Sequence, residues 1–151
     1  MTPFVKRVLA PIRVEALGPD YRTWMVFDTF EYRLGSPDGP EYVRIEKGFI
    51  TDFASIPRPL WWLWPPSQGP YLAAALIHDC MYKTGYVLNI DTGEKRFIER
   101  SEADDAMKEV MELCGTPWLT KRGIFRGVRL GGFMAWAKHR KADDDDEPAA
   151  A

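Results

Sequence analysis

Residues 48–82 read GFITDFASIPRPLWWLWPPSQGPYLAAALIHDCMY, and the reading of this stretch decides the fold. It opens as the end of a strand at Thr51-Asp52. Pro57, Pro59, Pro65 and Pro66 then forbid a regular element, apart from one helical turn expected over Leu60–Trp64. Pro70 suits the first turn of a helix, and Tyr71 to Lys83 reads as a buried helix stopped by Gly85. Trp61, Trp62 and Trp64, framed by prolines, form either a stacking surface for sugars, bases or a partner, or a hydrophobic plug over a sheet.

Upstream of this stretch the chain reads as β-structure. Residues 3–16 alternate loosely, as an edge strand or an extended arm, and Gly18-Pro19-Asp20 makes a turn. Arg22–Leu34 predicts one long strand with Trp24, Val26, Asp28, Phe30 and Tyr32 on one face. After the turn Gly35–Pro40, Glu41–Ile50 predicts a second strand, with Tyr42, Arg44 and Glu46 outward against Val43, Ile45, Lys47 and Phe49. Adjacent strands joined by a short turn pair as an antiparallel hairpin.

Downstream the pattern is mostly helical. Residues 86–98 predict a short hairpin around Asp91-Thr92-Gly93. Ser101 opens a helix that runs to Cys114-Gly115, with Ser101 and Asp104 spaced as a capping box. A last helix follows Pro117, from about Thr120 to Lys138, where Gly123, Gly127 and Gly131 predict a packing groove and Arg122, Arg126 and Arg129 the other side. The fold class is α+β: an N-terminal antiparallel hairpin or small sheet packed against about three helices. Residues 1–141 are expected to form a single domain and residues 142–151 a disordered acidic tail.

Composition narrows the class of function. At 46% apolar and 13% aromatic the chain is that of a globular protein, and 151 residues suffice for one core. The net charge is −2, but Asp143–Glu147 hold five of the 22 acids, so residues 1–142 carry 17 acids against 20 Lys and Arg. That small basic balance points weakly to anionic partners and does not single out nucleic acid. Cys80 and Cys114 both fall in helical patterns, as buried free thiols rather than a disulfide. No signal peptide is expected, because Lys6, Arg7 and Pro11 interrupt the first residues, and no run of 18 apolar residues suggests a membrane span.

Three places could carry chemistry. His78-Asp79 comes at the end of the apolar run Leu72–Ile77, so both side chains need partners inside the protein. A divalent metal would satisfy them through a ring nitrogen and a carboxylate; the alternative pairs Asp79 with Lys83 and His78 with a backbone carbonyl. Asp104 borders the stripe Ala103, Met107, Val110, Met111, Cys114 and can reach inward, whereas Asp105 points the other way with Lys108 and Glu112. It either serves the site or caps its helix. Asp52 either presents a carboxylate from a rigid strand end or makes an Asx-turn with Ala54 or Ser55. Together Asp52, His78, Asp79 and Asp104 form an oxygen-rich candidate catalytic set, with His78, Asp79 and Asp104 as ligands suited to Zn, Mn, Mg or Fe. A metal-bound water would then act as a hydrolytic nucleophile. The set resembles that of the HD phosphohydrolases, but their upstream His is missing here; the other His is His139, near the C-terminus.

Four segments, TDFASIPRPLWWL, LIHDCMY, SEADDAMKEVM and VRLGGFMAW, resemble the phage, prophage and bacterial family known as domain of unknown function 1353. The resemblance runs from about Phe49 to Trp136 and covers Asp52, His78, Asp79 and Asp104. It implies a viral origin. With no signal peptide or membrane span expected, the host cytoplasm or the virion is the expected place, and phage structural proteins or cell-wall material are the expected partners. The resemblance carries no catalytic residue with it. The expected function is a small metal-dependent hydrolase of a phosphoester or cell-wall bond. The alternatives are a non-catalytic virion, tail or assembly component, and a carbohydrate- or nucleotide-binding module using Trp61 and Trp62.

Overall fold

The computed structural model describes residues 12–20, 22–52 and 69–146. The proline- and tryptophan-rich loop, with Trp61, Trp62, Trp64 and the helical turn expected at Leu60–Trp64, lies outside the described residues. In chain order the elements are β1 (Val14–Ala16), β2 (Trp24–Val26), β3 (Phe30–Arg33), β4 (Glu41–Ile45), β5 (Ile50–Thr51), α1 (Gly69–Thr84), β6 (Tyr86–Asn89), β7 (Lys95–Phe97), α2 (Arg100–Leu113) and α3 (Trp118–Asp146). All strand pairs are antiparallel, in one sheet ordered β1-β2-β5 and another ordered β3-β4-β6-β7. The protein is a single α+β domain.

The long strand expected over Arg22–Leu34 is broken into β2 and β3, and its partner over Glu41–Ile50 into β4 and β5. At the break the Thr29 side chain takes over a backbone partner. Thr29 Oγ1 accepts from the Lys47 amide at 2.9 Å, and Asp28 is drawn aside by Arg13 at 2.6 Å. Opposite them the chain turns at Glu46–Phe49, where Gly48 adopts φ +87° and the Phe49 amide donates to the Glu46 carbonyl at 3.0 Å. A left-handed residue at that place suits glycine. The pairs Trp24↔Thr51 and Phe30↔Ile45 keep the same offset, so one hairpin passes through both sheets. Its second arm delivers Thr51 to the core. Tyr42, expected to point outward, is buried beside Val43; the Arg44 guanidinium lies 5.6 Å from the centre of the Tyr42 ring and helps cover it.

Helix α1 is central. It packs against α2, α3 and β4, and Ala73–Tyr82 are all buried. A helix buried all round needs no amphipathic pattern, which is why Leu72–Ile77 is continuously apolar. It ends at Gly85 with φ +69°, where the Arg140 guanidinium donates to the carbonyls of Tyr82 and Lys83 at 3.0 and 3.1 Å. A cation at these last carbonyls suits the negative end of the helix dipole.

Helix α2 is capped two residues earlier than expected. Glu99, not Ser101, is the cap residue, and the Glu102 carboxylate reaches back to the Glu99 amide at 2.8 Å. Asp104 is thereby released from capping and faces inward with Ala103, Ala106, Met107, Val110 and Met111. Helix α3 is longer than expected at both ends. Its buried seam is Ile124, Val128 and Gly132 rather than the glycines at 123, 127 and 131. Gly131 has open space where a side chain would stand, whereas a Cβ on Gly132 would lie 2.4 Å from the Tyr82 hydroxyl. Gly132 is the close-approach residue between α3 and α1.

Candidate functional site

The interior polar residues gather where α1, α2, α3 and the end of β5 meet. His78 and Asp104 are fully buried, and Asp79 is 6% exposed. His78 Nε2 lies 2.8 Å from Asp104 Oδ1, and the Tyr82 hydroxyl donates to the same oxygen at 2.7 Å. Arg129 Nη1 reaches Asp104 Oδ2 at 3.4 Å from a partly exposed position on α3. Three helices therefore converge on one carboxylate. The Tyr82 ring, one turn beyond His78, also packs on the imidazole with centroids 4.0 Å apart, and Trp136 meets Tyr82 edge-on at 5.2 Å.

Asp79 is satisfied from another side. The Thr51 hydroxyl, buried at the end of β5, donates to Asp79 Oδ2, and Asp79 Oδ1 lies 4.0 Å from His78 Nδ1. Lys83, one turn beyond Asp79, donates to the carbonyl of Ile50 and covers the Phe49 ring at 4.9 Å. His78 Nδ1 is buried with no hydrogen-bond partner among the described residues.

The electrostatics follow from this packing. Burial pushes the His78 pKa down, but the hydrogen bond and charge of Asp104 and the nearby charge of Asp79 outweigh it, and the net shift is upward. For Asp104 burial pushes the pKa up, and the contacts from His78, Tyr82 and Arg129 bring it below the usual carboxylate value. The two shifts have one cause: His78 and Asp104 each favour the charged form of the other. Tyr82 is pushed upward by burial and by Asp104, so its hydroxyl stays a donor. The Cys80 thiol is pushed up to about 12, mainly by burial, and is no nucleophile at neutral pH.

The structure thus brings together His78, Asp79 and Asp104, and it adds Thr51, Tyr82 and Arg129, which the sequence reading did not place in the site. Tyr82 was legible from its position four residues after His78. Thr51 was concealed because the acid beside it drew attention: alternation puts Thr51 inside and leaves the Asp52 side chain exposed. Arg129 had no local signal. The Asx-turn partners of Asp52, Ala54 and Ser55, lie outside the described residues, as do Trp61 and Trp62.

Among the described residues no group of three or more His, Cys, Asp or Glu is arranged to hold a metal ion. Two cavities lined by described residues lie away from the cluster. One, of about 250 Å³, is bordered by Arg96, Glu102, Asp105 and Glu109, and the other, of about 300 Å³, by Phe49, Cys80, Tyr86 and Lys95. No helix among the described residues is long and apolar enough to cross a membrane.

The chain belongs to the family described as "Protein of unknown function (DUF1353)", which matches residues 24–128. Thr51, His78, Asp79, Tyr82 and Asp104 fall within the matched part, and Arg129 lies one residue beyond it. No curated protein and no solved structure matches the chain.

Proposed function

We propose that the protein is a non-catalytic assembly component in which the polar cluster braces the three helices and the end of β5. The observation that carries this reading is the state of His78. It is fully buried, its Nε2 is committed to Asp104 at 2.8 Å, and it lines neither of the two cavities described above. With Nε2 so committed, that nitrogen neither takes a proton from a substrate nor binds a metal. Asp104 in turn is held by His78, Tyr82 and Arg129. The resemblance to phage and prophage chains supports the phage particle as the assembly concerned, with other phage structural proteins as partners.

The test is made in a phage-producing strain. Purified particles are expected to contain the chain, and a double variant, His78→Leu with Asp104→Leu, is expected to fold and still be incorporated. Absence from the particles and from their assembly intermediates would overturn the reading. So would a hydrolysis of phosphoester or cell-wall bonds that disappears in the folded double variant.

A second reading, a metal-dependent hydrolase of a phosphoester or cell-wall bond, is favoured by one observation. Nδ1 of His78 has no hydrogen-bond partner among the described residues and has Asp79 Oδ1 at 4.0 Å. A deprotonated His78 would offer that nitrogen, and Asp79 an oxygen, to Zn, Mn, Mg or Fe. Elemental analysis of protein purified without added metal decides it. Stoichiometric metal that is lost in His78→Ala supports the hydrolase, and its absence removes it.

A further inference from the structure

The cavity of about 300 Å³ beside Phe49, Cys80, Tyr86 and Lys95 arises from a parting of two strands. β4 and β6 pair at Glu41↔Asn89 and Tyr42↔Leu88. Continued, that register would set Arg44 opposite Tyr86, but the ladder stops first and side chains of α1 close the base of the gap. The Cys80 thiol donates to the Arg44 carbonyl at 3.5 Å, and the Thr84 hydroxyl lies 3.4 Å from the Tyr86 carbonyl. Val43, Leu88 and the rings of Phe49 and Tyr86 give the cleft apolar walls. Its volume is at the small end of ligand pockets, which run from about 300 to 1,000 Å³.

The charges around the cleft differ in how far they are neutralised. Arg44 is answered by Glu31 at 2.6 Å and faces Glu46 at 4.0 Å. Lys95 lies over the Tyr86 ring at 4.3 Å and makes no ion pair among the described residues. Lys83 lies over the Phe49 ring at 4.9 Å, donates to the Ile50 carbonyl, and likewise makes no ion pair among the described residues. A ring attracts an ammonium but does not cancel its charge. Each aromatic wall therefore carries a lysine whose charge is unanswered.

We propose that this cleft binds a small aromatic monocarboxylate, with its flat body against Phe49 and Tyr86 and its carboxylate at Lys95. Aromatic walls suit a flat ring, which stacks or meets them edge-on. The unanswered lysines select an anion over a neutral or cationic molecule of the same shape. Glu46 on the other side, facing Arg44, disfavours a second anionic group on the ligand. The site uses no residue of the buried cluster and holds whether or not that cluster is catalytic.

Calorimetric titration of the full chain with 1-naphthoate tests it. Saturable binding is expected, and raised salt should weaken it, because exposed charges are screened. 1-Naphthylmethylamine, with the same rings and the opposite charge, should bind more weakly by about tenfold or more. Lys95→Glu should weaken naphthoate binding by about tenfold. Leu88→Trp, which puts a large ring into the space, should abolish it. Circular dichroism checks that both variants are folded, and Lys95→Glu, on an exposed strand, decides the matter alone if Leu88→Trp does not fold. No saturable binding at millimolar naphthoate overturns the proposal. Equal binding of the amine overturns it too, as does undiminished naphthoate binding in either folded variant.

Discussion

His78 on α1 and Asp104 on α2 meet at 2.8 Å between Nε2 and Oδ1, and neither side chain has any exposure to solvent. Removing one member of a buried charged pair leaves the other uncompensated. His78→Ala is therefore expected to destabilise the fold by about 3 kcal/mol. The double change His78→Leu with Asp104→Leu should cost less than the sum of the single changes, because no charge is then stranded. Urea midpoints of the four proteins in this cycle measure the coupling, and simple additivity would show that the contact does not hold the helices together.

The same pair sets a pH dependence. His78 has a folded pKa above its ordinary 6.5, so its contribution is complete below about pH 6.5 and is lost as pH rises through the folded value. Asp104 has a folded pKa below its ordinary 3.8, so its contribution is complete above that and is lost as pH falls through the folded value. The stability difference between wild type and His78→Ala is expected to be largest between these limits and to shrink on both sides. Denaturation at a series of pH values checks it, and a constant difference contradicts it.

Gly132 gives a prediction from close packing. A Cβ there would lie 2.4 Å from the Tyr82 hydroxyl and 3.2 Å from two ring carbons. Gly132→Ala is expected to cost about 1–3 kcal/mol through overpacking, despite the better helix propensity of alanine. In a Tyr82→Phe background, where the nearest atom is gone, the cost should fall. Tyr82→Phe alone should cost about 1 kcal/mol for its hydrogen bond to Asp104. Thermal denaturation reads all three.

At the end of α1, Gly85 sits at φ +69°, and a Cβ on it would lie 1.6 Å from Arg140 Nη1. Gly85→Ala should therefore suffer twice, from the left-handed backbone and from the displaced guanidinium, by about 2 kcal/mol in all. Arg140→Ala should cost about 1–2 kcal/mol for the lost charged hydrogen bonds. Arg140→Lys should rescue only part, since one ammonium cannot reproduce the fork in which Nη2 donates to the Tyr82 and Lys83 carbonyls and Nη1 to that of Thr84. Once Arg140 is alanine, Gly85→Ala should cost only the backbone part, and an unchanged cost would show that the two residues do not interfere.

Local chemistry made much of the fold readable. Glycine and proline punctuation placed the turns, and the apolar run before His78 marked a buried helix that could only be central. The breaks in the first hairpin were not readable, because Thr29 and Asp28 act through partners 18 and 15 residues away. The capping of α2 was misplaced because two acids, Glu99 and Glu102, fill a motif whose first member is usually Ser or Thr.

What the sequence by itself determined is the inventory: two β-hairpins, three helices, and a histidine and two acids carried into an apolar interior, where burial obliges them to find partners. Which partners they find was decided by tertiary structure alone. Strand alternation turned Thr51 inward and left Asp52 exposed, the capping by Glu99 and Glu102 freed Asp104, and the lack of a side chain on Gly132 brought α3 close enough for Arg129 to reach it. Periodicity tells which face of an element a residue occupies, but hydrogen bonds of 2.7–3.4 Å depend on how elements far apart in the chain are set against one another.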